Sequence, residues 1–478
     1  MAVKRIQLLG GAYVTKGLIA DAQRCVNLFP EKNPQDAEAP VTHYPAPGLA
    51  LIVPGPSQAP VRGLYFANNN KLYAVIGGSV YYIDENYVIH LLGTIPFNFN
   101  MVSFVDNGTT LVLVVGSTTG YEITLATNAF AQITDPNFFG GDKVDYIDTF
   151  LVSNITGTQS FISSLSNSVS WDALYIANKT ASADLLVTLV VVHREIWLFG
   201  EFTSEVWYDA GNAGFPFALV PGVMIQHGCA ALHSVQANAQ ACYWLSQDKN
   251  GKAFVMKGQA YQAAPISTPA IVQEFSKYAT ISDAIAYMYQ QDGHIFYVLN
   301  FPTADKTWVY DLTTDAWHQR VWRDSNGEEH RHRAQCHAYA YGKNIVGDWE
   351  NGNIYILDQT VYTDNGVTIE RRRSMPHISS NGRRIAHAQF IADIETGEYQ
   401  PVHAGDPDPL ISLRWSDDRG KSWGNPVTMP LGTLGQFLTQ PSWRRLGITR
   451  DRVYEIFWDV PGPCALNGAW LDATELGT

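Results

Sequence analysis

The sequence predicts an all-β protein: a β-propeller of about seven four-stranded blades, with an extended N-terminal arm and a C-terminal β-sandwich. Composition is the first reason, because only 16% of the 478 residues are charged while 12% are aromatic, which favours turn-rich β structure over helix. Short alternating runs of apolar and polar residues, separated by Gly, Pro, Asn and Asp, are the second. These runs group into units of about 40 to 50 residues, which is the spacing of a propeller blade.

The clearest unit runs from Tyr287 to Trp322. Alternation at residues 294–299 and 307–312 predicts two strands, and residues 316–322 predict a third after a Thr-Thr-Asp turn. The strand segment Trp308 to Asp311 has weak echoes before other polar turns, at Val80 to Asp84, Val206 to Asp209 and Ile354 to Asp358. A single blade leaves its apolar faces exposed, so radial stacking of blades is the arrangement that buries them.

Residues 1–60 are rich in proline, which removes donors from a sheet and predicts an extended arm. Val26, Leu28, Phe29 and the segment Leu49 to Val53 are apolar enough to be buried. One hypothesis for ring closure is that the run Lys4 to Leu9 pairs into the last blade. We expect the arm to lie on its own domain or on a neighbour.

The propeller is assigned to residues 61–375 and the sandwich to residues 376–478, where strand patterns alternate between Gly and Pro turns. A short helix is predicted between blades at residues 268–275, with Thr268 as the N-cap and Pro269 in the first turn. The strongest apolar stretch, Leu185 to Val192, is much shorter than the roughly 20 residues that cross a bilayer, so it is predicted to be a buried strand.

Charge and cysteine content restrict the class of protein. The formal net charge of −13 disfavours tight, general binding to nucleic acid, which requires Lys and Arg. The five cysteines are widely spaced and are expected to be buried free thiols: Cys25, Cys229, Cys242, Cys336 and Cys464. Since Met1 to Gly11 lacks the pattern of a signal peptide, we expect a soluble protein made in a reducing compartment, without membrane insertion.

The sharpest local motif is the sequence SDDRGKSW at residues 416–423. It is similar to the Asp-box of sialidases, with Ser422 where Thr is usual. The pattern Ser416, Asp418, Gly420 and Trp423 predicts a hairpin turn in which the carboxylate accepts backbone N–H groups and the glycine adopts a positive φ. The Asp-box is a structural turn that recurs in several sialidase blades. Here a single copy lies outside the propeller, which favours a structural role.

Two clusters of polar residues are candidate sites. His330, His332, Cys336 and His337 match no familiar metal-ligand spacing, so a solvated loop is predicted. Five arginines are candidates for an interface with phosphates or with an acidic neighbouring subunit: Arg331, Arg333, Arg371, Arg372 and Arg373. A scattered, solvated surface is the alternative. We find no catalytic motif, and we predict no catalytic residue, no cofactor and no metal.

The segment ALVPGVMIQHGCAALHSVQANAQACYWLSQDKNGKAFVMKGQAYQAAPISTPAIVQEFSKY resembles the tail-hub, or packaged DNA stabilisation, proteins of P22-like short-tailed phages. The segments HREIWLFGEFTSEVWYDAGNAGFPF, NLFPEKNP, YPAPGL and RWSDDRGKSWG extend the likeness over most of the chain. The resemblance implies a homohexamer below the portal and head-to-tail adaptor. It further implies that the protein closes the channel that holds the double-stranded DNA and docks tailspikes or fibres and a tail needle. The implied location is the phage tail in the virion, after synthesis in the host cytoplasm.

Three functions therefore stay open. The first is a structural virion protein whose acidic lumen retains DNA without sequence-specific binding. The second is a glycan-binding or glycoside-hydrolysing, sialidase-like propeller, which needs an arginine cluster facing a tyrosine, and an acidic pair near the axis. The third is an adhesion module with exposed aromatic residues on the outside of the particle. We predict the first function, and we predict that the protein is not an enzyme.

Overall fold

The computed structural model of the protein describes residues 4–17, 21–399 and 408–476. Seven four-stranded antiparallel blades form a propeller, and a β-sandwich lies beside it. Within a blade, consecutive strands pair as a meander, and the first strands of successive blades lie side by side around the axis. The predicted fold class is confirmed.

The strands of the first four blades follow one another in the chain, from the inner to the outer strand. Blade 1 comprises Val61–Phe66, Leu72–Ile76, Ser79–Ile83 and Ile89–Thr94, and blade 2 comprises Ser103–Asp106, Thr110–Val114, Gly120–Thr124 and Ala129–Gln132. Blade 3 comprises Val144–Ile147, Phe150–Asn154, Ser160–Ser164 and Trp171–Asn178, and blade 4 comprises Leu186–Val192, Glu195–Gly200, Ser204–Asp209 and Phe217–Leu219. The predicted buried strand at residues 185–192 is the inner strand of blade 4.

The remaining blades include one strand from the N-terminal region. Blade 5 comprises Gln236–Ala237, Cys242–Gln247, Ala253–Gln259 and Gln262–Pro265, and blade 6 comprises Ile285–Gln291, His294–Phe301, Lys306–Asp311 and Ala316–Arg323. Blade 7 comprises Ala334–Ala340, Lys343–Asp348, Ile354–Asp358 and, as its outer strand, Gly48–Val53. The predicted helix is confirmed as Pro269–Phe275, with Thr268 Oγ1 accepting the N–H of Ile271 at 3.4 Å.

Ring closure is achieved by Gly48–Val53, which pairs antiparallel with Ile354–Asp358. The hypothesis that Lys4 to Leu9 closes the ring is wrong, because Lys4–Ile6 pairs with Leu466–Glu475 of the sandwich. The physical reason lies in the side chains. Leu49 is buried with Tyr355 and Leu357 in one apolar cluster, whereas Arg5 forms an ion pair with Asp393.

The sandwich consists of two sheets, and one of them is continuous with the propeller. The first contains Ser442–Thr449, Ile385–Ile394, Leu466–Glu475, Val41–Pro45, Leu28–Lys32 and Lys4–Ile6. The second extends the last strand of blade 6 through Cys25–Val26, Arg371–Ser374, Asp451–Trp458, Leu410–Ser416 and Val427–Pro430. Two separate two-stranded sheets are also present: Tyr13–Val14 with Ala22–Gln23, and Thr363–Asp364 with Val367–Thr368. Two further short strands join the second sheet: Glu329–Arg331, which pairs with Ala316–Arg323, and Ile378–Ser379, which pairs with Asp451–Trp458.

These pairings differ from the predicted division of the chain at residues 60 and 375. The segment predicted to be an arm is divided between both domains, because Gly48–Val53 belongs to the propeller while Leu28–Lys32 and Val41–Pro45 belong to the sandwich. Arg371–Ser374, assigned to the propeller, is a sandwich strand. Sequence pattern identifies strands, but it does not identify their partners when these are hundreds of residues away.

The five cysteines are all buried and free, and burial raises the pKa of each thiol, for example to about 12 at Cys336. Within the described ranges, no helix has the length and apolar character required for a membrane span.

Candidate functional site

One end of the propeller carries the connections between blades. Because the strands of a meander alternate in direction, the links from each outer strand to the next inner strand lie at the same end as the turns between second and third strands. We call this end the interblade face. Neighbouring connections bind one another: the Gly141 N–H donates to Ser117 O at 3.1 Å, and Ser204 and Ile225 exchange two bonds of 2.8 Å. Backbone hydrogen bonds therefore join these segments on the interblade face.

A cavity of about 270 Å³ lies on the propeller axis, among the first residues of the inner strands. Its polar lining includes Ser103, Lys143, His233, Gln335 and His337. Burial lowers the pKa of His233 and of His337 to about 4, so both rings are neutral at pH 7. Lys143 is the one ordinarily charged side chain among the described lining residues.

This chemistry differs from what a glycoside hydrolase needs. Such enzymes use two carboxyl groups on either side of the scissile bond. None of the described residues that line the axial cavity carries a carboxylate or a guanidinium group. The arginine cluster and the acidic pair that the sialidase-like alternative requires near the axis are therefore not found among the described residues that line this cavity.

The interblade face of blades 1 to 4 exposes large apolar side chains around the cavity. Phe99 is 81% exposed and contacts Phe97, their ring centroids lying 4.8 Å apart. Among the described residues of these connections, only Glu201 combines a formal charge with an exposed side chain. We call this set the apolar rim, and its members are Phe97, Phe99, Phe139, Leu185, Phe202 and Met224.

A buried ion pair supports the rim between Leu185 and Phe202. Lys179 Nζ contacts Asp184 Oδ1 and donates to Thr203 Oγ1 at 2.8 Å, and the N–H groups of Phe202 and Thr203 donate to Asp184 Oδ2 at 2.8 and 3.0 Å. Burial alone would raise the pKa of Asp184, but these hydrogen bonds lower it below its usual value. A charged carboxylate thus fixes the turn that presents Phe202.

A second apolar surface lies on the sandwich, in residues 431–441. This segment, which we call the sandwich loop, exposes Leu434 by 52%, Phe437 by 58% and Leu438 by 98%. It contains no charged residue. Sequence reasoning missed it, although an uncharged run with three large apolar residues outside any alternating pattern was a signal that could have identified it.

The joint between propeller and sandwich is held by alternating charges along the shared sheet. Arg323 donates to Glu370 Oε1 at 2.8 Å and to Glu329 Oε1 at 3.2 Å, and Arg372 lies 3.1 Å from Glu329 and 3.7 Å from Glu455. Glu455 is fully buried and also accepts a hydrogen bond from Arg414 Nε at 2.8 Å. Both domains contribute to this network, so it ties them into one body.

The five arginines predicted to form an interface are all buried, with exposed fractions of 8% or less. Arg333 donates to Asp348 at 2.7 Å and to Glu350 at 2.8 Å, while Arg371 donates to Val460 O at 2.6 Å. Arg373 donates to Gly10 O at 2.8 Å. The remaining two are Arg331, whose guanidinium lies 4.5 Å from the centroid of the Trp349 ring, and Arg372 of the joint.

The prediction of an exposed basic surface at these positions is therefore wrong. Carboxylates pair with two of the five: Arg333 with Asp348 and Glu350, and Arg372 with Glu329, Glu370 and Glu455. Arg371 and Arg373 donate to backbone carbonyls instead, and apart from Glu370 and Glu329 these partners lie far from the arginines in sequence. Arg371, Arg372 and Arg373 are consecutive in a strand whose two edges both pair with other strands, and all three side chains are buried.

The turn at residues 416–423 has the hydrogen bonds that an Asp-box pattern requires. Asp418 Oδ1 accepts from Ser416 Oγ at 2.6 Å and from the Ser422 N–H at 2.9 Å, and Ser422 Oγ donates to Oδ2 at 2.6 Å. These bonds lower the pKa of Asp418. Gly420 has a φ of +88°, and Arg414 lies 5.0 Å from the centroid of the Trp423 ring.

The predicted solvated loop at the histidine cluster is wrong, because Ala334–Ala340 is the inner strand of blade 7 and both His332 and Cys336 are buried. His330 binds Asp305 at 2.7 Å, His337 binds Asn344 at 3.0 Å, and Cys336 donates to Val61 O at 3.5 Å. His332 is buried 3.8 Å from Asp364. A different set, Asp324, Glu328 and His330, places three potential ligand atoms within 4.8 Å of one another. Asp324 Oδ1 already accepts the N–H of Glu328 at 2.8 Å, which makes it a turn residue.

Comparison with known proteins adds two family matches. The family model described as the bacteriophage P22 Gp10 β-propeller matches residues 4–362, and the model described as the bacteriophage P22 Gp10 β-sandwich matches residues 370–474. No curated protein matches the sequence.

Similar solved structures include a chain of the mitotic checkpoint complex, with 10% identity, a TM-score of 0.44, and coverage of 69% of this chain and 95% of that chain. The N-terminal domain of Nup159 has 11% identity, a TM-score of 0.37 and coverage of 70% and 98%. The Neurospora crassa Pan2 WD40 domain has 10% identity, a TM-score of 0.40 and coverage of 66% and 94%.

Proposed function

The chain belongs to the family of bacteriophage P22 Gp10, and from that premise we propose that this phage structural protein is the tail hub of a short-tailed phage. In this role several copies, six if the resemblance holds, surround the channel below the portal and head-to-tail adaptor. They extend the channel, help to retain the packaged double-stranded DNA, and offer docking surfaces to tailspikes or fibres and to a tail needle. The protein is made in the host cytoplasm and is incorporated into the virion tail.

The observation that carries the proposal is the pair of family matches, which together cover both domains in the order found in the chain. The structure is consistent with a rigid building block. Blade 6 continues into the sandwich through Cys25–Val26, and charged residues reinforce the joint.

Net charge supports passage of DNA without capture. A formal charge of −13 per copy gives an assembled ring a large negative charge, which repels phosphates unless cations intervene. Lumen contacts with DNA would then be weak and independent of sequence. No catalytic step is part of the proposal.

Sedimentation tests the proposal directly. We expect the purified protein to be monomeric or weakly associated on its own, and to assemble into a ring on the portal–adaptor complex of its phage. Bovine serum albumin, as an acidic protein of another fold, is the control for non-specific attachment. Failure to bind the portal–adaptor complex contradicts the proposal, and turnover of a sialoside or another glycoside would favour the glycan-active alternative.

A further inference from the structure

Two apolar surfaces of the chain match each other in chemistry although they lie in different domains. The apolar rim exposes aromatic side chains such as Phe99 and Phe202, with exposed fractions of 81% and 50%. The sandwich loop exposes Leu434, Phe437 and Leu438. Clusters of large exposed apolar side chains on a protein commonly mark interaction sites. Leu438, with 98% of its surface in solvent, gains nothing from its position within a single chain.

The sandwich loop is held in one conformation. The Leu434 N–H donates to Tyr399 O at 2.8 Å, and the Gly435 N–H donates to Gly397 O at 3.0 Å. Thr396 Oγ1 bonds the carbonyl of Phe437 at 3.1 Å. Because the loop is already ordered, docking would not require the entropy cost of ordering it. The rim is equally fixed by the bonds between neighbouring connections and by the buried pair of Lys179 and Asp184.

We propose that the sandwich loop of one copy docks on the apolar rim of the next copy. The occupant is a second copy of this chain because every copy carries one apolar surface of each kind, and the proposed function places copies side by side. Two copies, each with a formal charge of −13, repel each other, so close contact is favoured where the two surfaces carry the least charge. The sandwich loop contains no charged residue. On the described connections of the interblade face of blades 1 to 4, Glu201 is exposed, while Asp135, Asp142 and Lys143 are half-buried.

The contact is heterologous, since the two surfaces differ and each copy carries one of each. A heterologous contact propagates from copy to copy and forms a closed ring when the rotation between copies allows it. This inference rests on the proposed function, in which copies surround a channel. It goes further by assigning the surfaces that join them.

Two complementary variants test the contact. Leu438→Asp places a charge on the sandwich loop and leaves the rim intact. Phe99→Asp with Phe202→Asp in one chain places charges on the rim and leaves the loop intact. Leu174→Asp is the matched control, because Leu174 is 78% exposed on the outer strand of blade 3, away from both surfaces. All these side chains are at least half exposed, so the variants are expected to fold, which circular dichroism and the melting midpoint verify.

Association is measured by analytical ultracentrifugation across a concentration series, and again on the portal–adaptor complex. We expect the wild type and Leu174→Asp to associate alike, and each of the two test variants to associate at least tenfold more weakly. A mixture of the two test variants is expected to form pairs and stop there, because one intact loop meets one intact rim.

Three results would overturn the inference. The comparison is made where the wild type associates, alone or on the portal–adaptor complex. If both test variants associate like the wild type there, or if their mixture recovers no pairwise association under the same conditions, the surfaces are assigned wrongly while the hub proposal stands. If the wild type associates neither alone nor on the portal–adaptor complex, the inference and the proposed function both fail.

Discussion

Truncation of Leu49 to alanine tests whether the N-terminal region closes the propeller. Leu49 is 3% exposed and lies in an apolar cluster with Phe296, Tyr355 and Leu357 of blades 6 and 7. Removing a buried leucine side chain costs about 2–5 kcal/mol, from lost burial and from the cavity that remains. Leu51, on the same strand, is 53% exposed, so Leu51→Ala is the matched control and is expected to change the unfolding free energy by roughly 0.5 kcal/mol or less.

The expected shift in melting temperature follows from the size of the propeller. Unfolding entropy near 60 °C is about 2.1 cal/mol/K per residue, so about 300 residues give roughly 0.6 kcal/mol/K, and a loss of about 3 kcal/mol lowers the midpoint by about 5 °C. Differential scanning calorimetry measures both variants. Equal effects of Leu49→Ala and Leu51→Ala, or no effect of either, would refute the conclusion that Gly48–Val53 is a structural strand of blade 7.

Three further measurements test other parts of the structure. Glu455→Gln removes a fully buried charge that faces buried Arg372 and half-buried Arg414, and it is expected to cost about 3–5 kcal/mol in chemical denaturation. Glu475→Gln, at an exposed pair with Arg383, is the control and should leave the midpoint unchanged. If Glu455→Gln has no effect on stability, the network does not stabilise the joint. Acidification from pH 7 to 5 should lower the free energy of unfolding. Burial lowers the pKa of His43 and of His318 to about 3, whereas the same histidines in the unfolded chain take up protons near pH 6.5. The loss of stability is up to about 2 kcal/mol per histidine. Burial raises the pKa of Asp364 to about 7, which acts in the opposite sense, so Asp364→Asn should steepen the loss, and an unchanged pH profile would disprove its burial as a carboxyl group. At pH 8 a thiol reagent should react with the five buried cysteines only after denaturant is added; rapid reaction of the native protein would contradict their burial.

The proposed hub role depends on surfaces more than on a pocket. In the axial cavity, neutral His233 and His337 surround a space whose described lining has no carboxylate, while the exposed apolar side chains lie on the rim and on the sandwich loop. This distribution is typical of a protein that works through contacts with neighbours.

The sequence by itself determined the elements of the fold. The alternation at residues 294–299 and 307–312 predicted strands of blade 6, and Thr268 with Pro269 predicted the helix, because both signals depend on neighbouring residues. The geometry of the turn at Asp418 also follows from a local pattern, since its donors lie within a few residues.

Only the tertiary structure decided which elements pair across the chain. Gly48–Val53 finds its partner some 300 residues later, and Arg372 meets Glu455 on the neighbouring strand of the sandwich. These choices depend on burial of whole faces and on cancellation of charge between distant strands, and no periodicity within either segment contains that information. The same reason explains why the arginines suggest a basic surface in the sequence and are buried in the fold.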